Sequence, residues 1–204
     1  MAIIWPSPLD VSSYAAAGRQ IAVPGQRCPD CKQPLTGWGG YWRWVRPKDQ
    51  PEERLWIRRG CCPQCRHTHA FLPSFLFRRR LDPAAVIGEA LSQAVVGQGM
   101  RTIAQQLALP HTTVRAWWRR LCIRAPTLLG SLLRWATSLD PAPVLVVRDG
   151  AAAVLETLTQ TWERARARLR EHLPDQWAFW SLITGGLALA TNTSVPFPAR
   201  SGGR

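Results

Sequence analysis

Four cysteines in two like settings, Cys28-Pro29-Asp30-Cys31 and Cys62-Pro63-Gln64-Cys65, are the residues best placed to do chemistry. A Cys-x-x-Cys turn is tight enough to aim two thiolates at one point, and two such turns complete a tetrahedral S4 site. The thirty residues between them are rich in strand formers, which is the spacing of a zinc ribbon. The expected cofactor is therefore one structural Zn2+ held by Cys28, Cys31, Cys62 and Cys65. Cys61 could stand in for Cys62, but only Cys62 keeps the spacing of the first pair. His67 and His69 are further donors, read here as ordinary ribbon residues. A redox role would instead expect a single Cys-x-x-Cys opening a helix, whereas both pairs here lie beside strands. Four thiolates close the coordination shell, so no position is left for an activated water.

A second constellation is basic. The 204-residue chain carries a net charge of +13, nearly all of it from arginine, which suits a polyanionic partner. Between Arg27 and Arg124 there are seventeen basic residues and six acidic ones, so that stretch alone carries +11. It also holds a run from Met100 to Leu121 patterned as a helix-turn-helix. Ile103, Leu107, Leu109, Val114 and Trp117 fill the apolar positions where two short helices cross, and Ala104 is the small residue at their closest approach. The usual turn glycine is replaced by Ala108, which must take a backbone conformation that glycine takes more easily. Pro110 stands at the threshold of the second helix. That helix, about His111 to Arg124, is the expected recognition helix, with His111, Thr112, Thr113, Arg115 and Arg119 facing the major groove. Arg115 suits guanine O6 and N7, and the threonines suit a thymine methyl or a phosphate. Arg101 and the run Arg78-Arg79-Arg80 complete the expected DNA contacts, the run acting as a phosphate-contacting linker. The expected partner is double-stranded DNA, with no small-molecule substrate.

The elements that must position these residues read as α+β. A small three-stranded zinc ribbon is followed by a helix-turn-helix domain and a mainly helical C-terminal region. The divisions fall at 1–26 (a lead-in with a strand near Gln20–Val23), 27–77 (ribbon), 81–124 (helix-turn-helix), 126–190 (helical) and 191–204 (a tail rich in Pro, Ser and Gly). Tyr41–Arg46, Leu55–Arg59 and Thr68–Leu72 read as the ribbon strands. Trp38, Trp42, Trp44 and Trp56, interleaved with Arg43, Arg46, Arg54 and Arg58, read as the modest core of this sheet in preference to a base-stacking platform. Asp82 suits an N-cap and Pro83 a first helical position, with Val86, Ile87, Ala90, Leu91, Ala94 and Val95 at helical spacing and Gly97 and Gly99 ending the helix. Thr127–Leu139 and Ala151–Leu173 are amphipathic. A homodimer through these C-terminal helices is expected from that amphipathicity.

Several classes are excluded. The longest apolar run, Trp177 to Ala190, is too short to cross a bilayer and is broken by Ser181, Thr184, Gly185 and Gly186. Met1 to Asp10 lacks the pattern of an export signal, so a cytoplasmic, nucleoid-associated protein is expected. No catalysis is expected either. The carboxylates after the recognition helix are Asp140, Asp149, Glu156, Glu163, Glu171 and Asp175, set in too short and too helical a stretch for an RNase H-like metal triad. Cys122 and His172 lack triad partners, and no phosphate-binding glycine loop is present.

The two Cys-x-x-Cys pairs, His69-Ala-Phe-Leu-Pro-Ser-Phe-Leu76, Arg79-Arg-Leu-Asp82, Arg101-Thr-Ile-Ala and Thr113-Val-Arg-Ala-Trp117 carry a resemblance. The chain resembles an uncharacterised bacterial zinc-ribbon and helix-turn-helix family related to the N-terminal parts of transposases. Similarity to insertion-sequence proteins covers residues of about 28–124. Leu182-Ile-Thr-Gly-Gly186 and Asn192-Thr-Ser-Val-Pro196 resemble that family rather than a nuclease domain. The resemblance implies binding to transposon ends or operators, in a transposition or transcription-regulating role. Two other roles fit the same residues: a protein-interaction module, or an accessory subunit of a transposition complex.

Overall fold

The computed structural model describes residues 1–169 and 173–190. Arg170, Glu171 and His172, the Asn192–Pro196 motif and the 191–204 tail lie outside the described residues. The fold is mixed α+β, with a four-stranded sheet and, among the described residues, six helices.

The sheet takes the order β1-β4-β3-β2, built from β1 (Ala2–Trp5), β2 (Thr36–Val45), β3 (Glu53–Cys61) and β4 (Thr68–Pro73). The three strands expected between the cysteine pairs and after them are antiparallel neighbours, and β1 adds a fourth, parallel to β4. The lead-in therefore differs from expectation: its strand is Ala2–Trp5, and residues near Gln20–Val23 hold only the end of a 3-10 turn. Short and without strong alternation, Ala2–Trp5 takes its strand form from pairing with β4, a tertiary effect that its own sequence does not announce. Helix α1 (Val11–Ala17) follows, its first turn capped by Asp10, whose carboxylate accepts from Ser13 N at 2.7 Å. Trp5 and Tyr14, both buried, join Ile21, Val45, Leu55, Ile57, Phe71, Leu72 and Leu76 in one core.

Strand alternation decides which ribbon side chains enter that core. Leu55 opposite Arg43, Ile57 opposite Tyr41 and Val45 opposite Glu53 lie on one face; Trp42 opposite Trp56 and Trp44 opposite Arg54 lie on the other. Val45, Leu55 and Ile57 are fully buried, so the tryptophans are left outside. Expected as the ribbon's core, Trp38, Trp42 and Trp44 are exposed, and only Trp56 is half-buried.

The helices form a second core. Helix α2 (Ala84–Val95) starts after Pro83, not at an Asp82 cap. The Asp82 carboxylate is taken by Arg46, which reaches it at 2.7 Å and ties the end of β2 to the start of α2. Gly97, in the left-handed region at φ 88°, turns the chain into α3 (Met100–Gln106). Ala108, at φ 50°, then turns it into α4 (His111–Leu139), so alanine holds the conformation its position demanded.

Helix α4 does not stop near Arg124. It runs through Pro126 to Leu139, across the expected division at 124–126. Proline removes one backbone donor on an exposed face, while Leu121, Ala125, Leu128, Leu132 and Ala136 continue an unbroken buried stripe. Packing of that stripe outweighs the break. Helices α5 (Gly150–Leu169) and α6 (Gln176–Ile183) close the bundle, and buried residues of α2 to α6 belong to one cluster. Val154, Leu155 and Leu158 of α5 and Phe179, Trp180 and Ile183 of α6 are buried in that cluster. Gly88 admits Trp177 so closely that a Cβ would lie 2.1 Å from the indole, which locks α6 onto α2.

Candidate metal centre and nucleic-acid interface

The two cysteine turns are built alike. In the first, Cys28 N donates to Gln33 O at 2.8 Å and Lys32 N donates to Cys28 O at 2.9 Å; in the second, Cys62 N donates to His67 O at 2.9 Å and Arg66 N to Cys62 O at 3.0 Å. The residue after the second cysteine of each pair, Lys32 or Arg66, sits in the left-handed region at φ 61°. Glycine would take that conformation without a Cβ penalty, yet neither turn uses one.

These turns bring the sulfurs of Cys28, Cys31, Cys62 and Cys65 within 4.8 Å of one another. Cys28 Sγ and Cys65 Sγ are 3.7 Å apart, and all six cysteines are free. A disulfide would need about 2.05 Å, whereas thiolates on a metal at about 2.3 Å stand roughly 3.8 Å apart at the edges of a tetrahedron. The donor set thus fits a thiophilic metal ion. The thiols do not titrate alike. The backbone N–H of Cys65, and then that of Gln64, hold the Cys62 thiol down to about 7, while hydrogen bonding with Cys65 pushes Cys31 up to about 12. Four thiolates cannot share this space without a cation to compensate them.

The ligand question between Cys61 and Cys62 has a geometric answer. Cys61 ends β3 and turns its sulfur toward the carbonyls of Cys62 and Arg66, each at 3.7 Å, away from the cluster. His69 is fully buried in β4 with Nε2 3.7 Å from Cys28 Sγ, beside the four sulfurs. His67 is exposed and bridges the two turns by pairing with Asp30 at 3.2 Å. Nothing in the spacing of the histidines marks His69; only the strand alternation that buries it could have done so.

The arginines and threonines expected to meet DNA fall into two groups. On α4, Thr112, Arg115 and Arg119 are exposed, His111 and Thr113 are half-buried, and Val114, Trp117 and Leu121 face the core. Arg101 is exposed on α3. Thr112 and Thr113 share a groove of about 410 Å³ with Arg79 and Arg80, and Arg120, which the sequence reading passed over, lines it too. The three linker arginines are not equivalent. Arg79 is exposed, at φ 58°. The backbone N–H of Arg78 donates to Gly186 O at 3.0 Å, and the Arg80 guanidinium donates to Leu189 O. Arg43 donates in turn to the carbonyls of Phe77, at 3.0 Å, and Arg80. Arg78 and Arg80 therefore help to hold the C-terminal turn and the ribbon together.

A model for a domain of unknown function (DUF6431) matches residues 28–117, from the first metal-site cysteine to the buried Trp117 of α4. No curated protein and no solved structure matches the chain. Among the described residues, no helix is long and apolar enough to cross a membrane.

Proposed function

We propose that this protein is a non-catalytic, sequence-specific binder of double-stranded DNA, in which a structural zinc site braces a helix-turn-helix formed by α3 and α4. What carries the reading is the left-handed turn at Ala108 between two helices whose crossing residues Ile103, Ala104, Leu107, Leu109, Val114 and Trp117 are buried. That pattern leaves Thr112, Arg115 and Arg119 outward on the first turns of α4, where a recognition helix presents side chains to base edges. The groove shared with Arg79 and Arg120 supplies phosphate contacts beside it. Zinc is the metal of choice for four converging thiolates in a closed site, and a closed site supplies scaffolding rather than activated water. The role would be regulatory or transposase-like, acting on operators or transposon ends in the cytoplasm. A homodimer on symmetric sites would form through surfaces of the C-terminal helices left outside the core, such as that of Trp135, which is exposed on α4.

The test is an electrophoretic titration of zinc-loaded protein on duplex DNA at several salt concentrations. Affinity should fall by roughly a hundredfold or more between 50 and 200 mM salt if about five phosphates are contacted. Affinity indifferent to salt would point to a protein-interaction module. Strand cleavage with magnesium or manganese should be blank, and reproducible cleavage would overturn the non-catalytic reading.

A further inference from the structure

The outer face of β2 and β3 has no role in duplex binding through α4, yet its chemistry is specific. Trp44 is 52% exposed and Trp42 39%, and Trp38, beside the irregularity between Gly37 and Gly40, is 56% exposed. The register places Trp42, Trp44, Arg54, Trp56 and Arg58 on one side of the two strands. The Arg54 guanidinium lies 5.3 Å from the Trp42 ring centre and 5.4 Å from that of Trp44. Arg19, brought in by the turn after α1, lies 4.7 Å from the ring centre of Trp56. Within β2 and β3 the only carboxylate is Glu53, paired opposite Val45 on the other face, where it accepts from Ser12 at 2.8 Å. β2 is moreover the edge strand of the sheet.

Exposed indoles cost hydration free energy that a folded chain ordinarily avoids by burying them. Here the core is filled by the opposite face, and the indoles are fixed in place by arginines with no acidic side chain among them. A purely apolar partner would have to bury those guanidiniums unpaired, at high cost. A partner that offers flat π-faces and negative charges alternately satisfies both groups. We propose that this face binds single-stranded DNA, with unpaired bases stacking on Trp42 and Trp44 and the phosphates running along Arg19, Arg54 and Arg58. The site is separate from α4, and the inference does not rest on the duplex-binding reading.

The experiment is a titration of fluorescently labelled oligothymidylate, which cannot form a duplex with itself, with the full zinc-loaded chain, followed by anisotropy. Wild type should bind at low salt. Trp44→Ala should weaken binding roughly fivefold to a hundredfold, as expected for one stacked base, and Trp44→Phe should restore most of it. Arg54→Gln should reduce the salt slope by roughly 0.7, the value for one phosphate contact on a single strand. Trp44 is more than half exposed, so metal content and helical signal should match wild type in these variants. Absence of binding by wild type would overturn the proposal, as would equal affinity of wild type and Trp44→Ala. Sedimentation showing that Trp44→Ala splits a dimer would also overturn it, assigning the face to a second copy. If single strands bind as described but duplexes do not, the inference stands and the duplex reading falls.

Discussion

Cys61 and Cys62 are chemically identical neighbours, and backbone position alone separates them. The strand ends at Cys61 with its sulfur facing two carbonyls, and the turn begins at Cys62 with its sulfur under the amides of Gln64 and Cys65. Metal analysis should therefore find one zinc per chain in wild type and in Cys61→Ser, and a loss in Cys62→Ser; the reverse outcome would reassign the ligand. Asp82 lies in a setting that ties stability to pH. Burial raises its carboxyl above the ordinary value of 3.8, outweighing the help of Arg46. A raised carboxyl means that the folded chain holds the proton more tightly than the unfolded one. Its contribution is then full below 3.8 and disappears as pH rises through the raised value. Wild type should consequently gain stability relative to Asp82→Asn as pH is lowered toward 4, in chemical denaturation of both proteins side by side. Metal release in acid affects both alike, so the difference isolates Asp82. A gap that moves the other way would mean that the ion pair outweighs burial.

At the scale of elements, the turn between α3 and α4 carries strain that one substitution can relieve. Alanine at φ 50° is disfavoured by roughly 1–2 kcal/mol, and glycine there gives back part of that through unfolded-state entropy. Ala108→Gly should thus stabilise the protein by up to about 1 kcal/mol, measurable by denaturant titration; a loss of stability would mean that the Ala108 methyl group packs usefully. This turn was legible in advance because Ile103, Leu107, Leu109 and Val114 fix where it must fall. The cysteine turns were legible for the same reason, since spacing alone brings four sulfurs together. What was not legible is instructive. Strand β1 has no pattern of its own and exists through pairing with β4. The helix from His111 was expected to end near Arg124, but the buried stripe from Leu121 to Ala136 holds α4 together across Pro126. The tryptophans of β2 were read as core because aromatic residues usually are, whereas the register had already filled the inner face with Val45, Leu55 and Ile57.

The whole molecule is two cores joined by short, specific contacts. Arg43 reaches from the sheet to the carbonyls of Phe77 and Arg80, and Ser181 of α6 donates to Leu76 O at 2.6 Å. Gly186, at φ 72°, lets the chain after α6 pass against Arg78 and Ile4, where a Cβ would stand 2.8 Å from Arg78 Cγ. Within the helical core, Gly88→Ala should force α2 and α6 apart and cost roughly 1–3 kcal/mol, seen as a lower midpoint in thermal unfolding. On the zinc reading, chelation should affect the sheet first, because the cysteine turns lie beside its strands and outside the helical core, while most helical signal in circular dichroism survives. The central claim is that this framework presents the start of α4 to the bases of duplex DNA. It is tested most directly by selecting duplexes from a randomised pool with zinc-loaded wild type, then measuring Arg115→Ala and Arg79→Ala on the winning and scrambled sites. The account predicts a defined consensus. Arg115→Ala should lose roughly 1–3 kcal/mol of discrimination between winning and scrambled sites, and Arg79→Ala should weaken both equally. An unenriched pool, or equal loss of discrimination in the two variants, would contradict it.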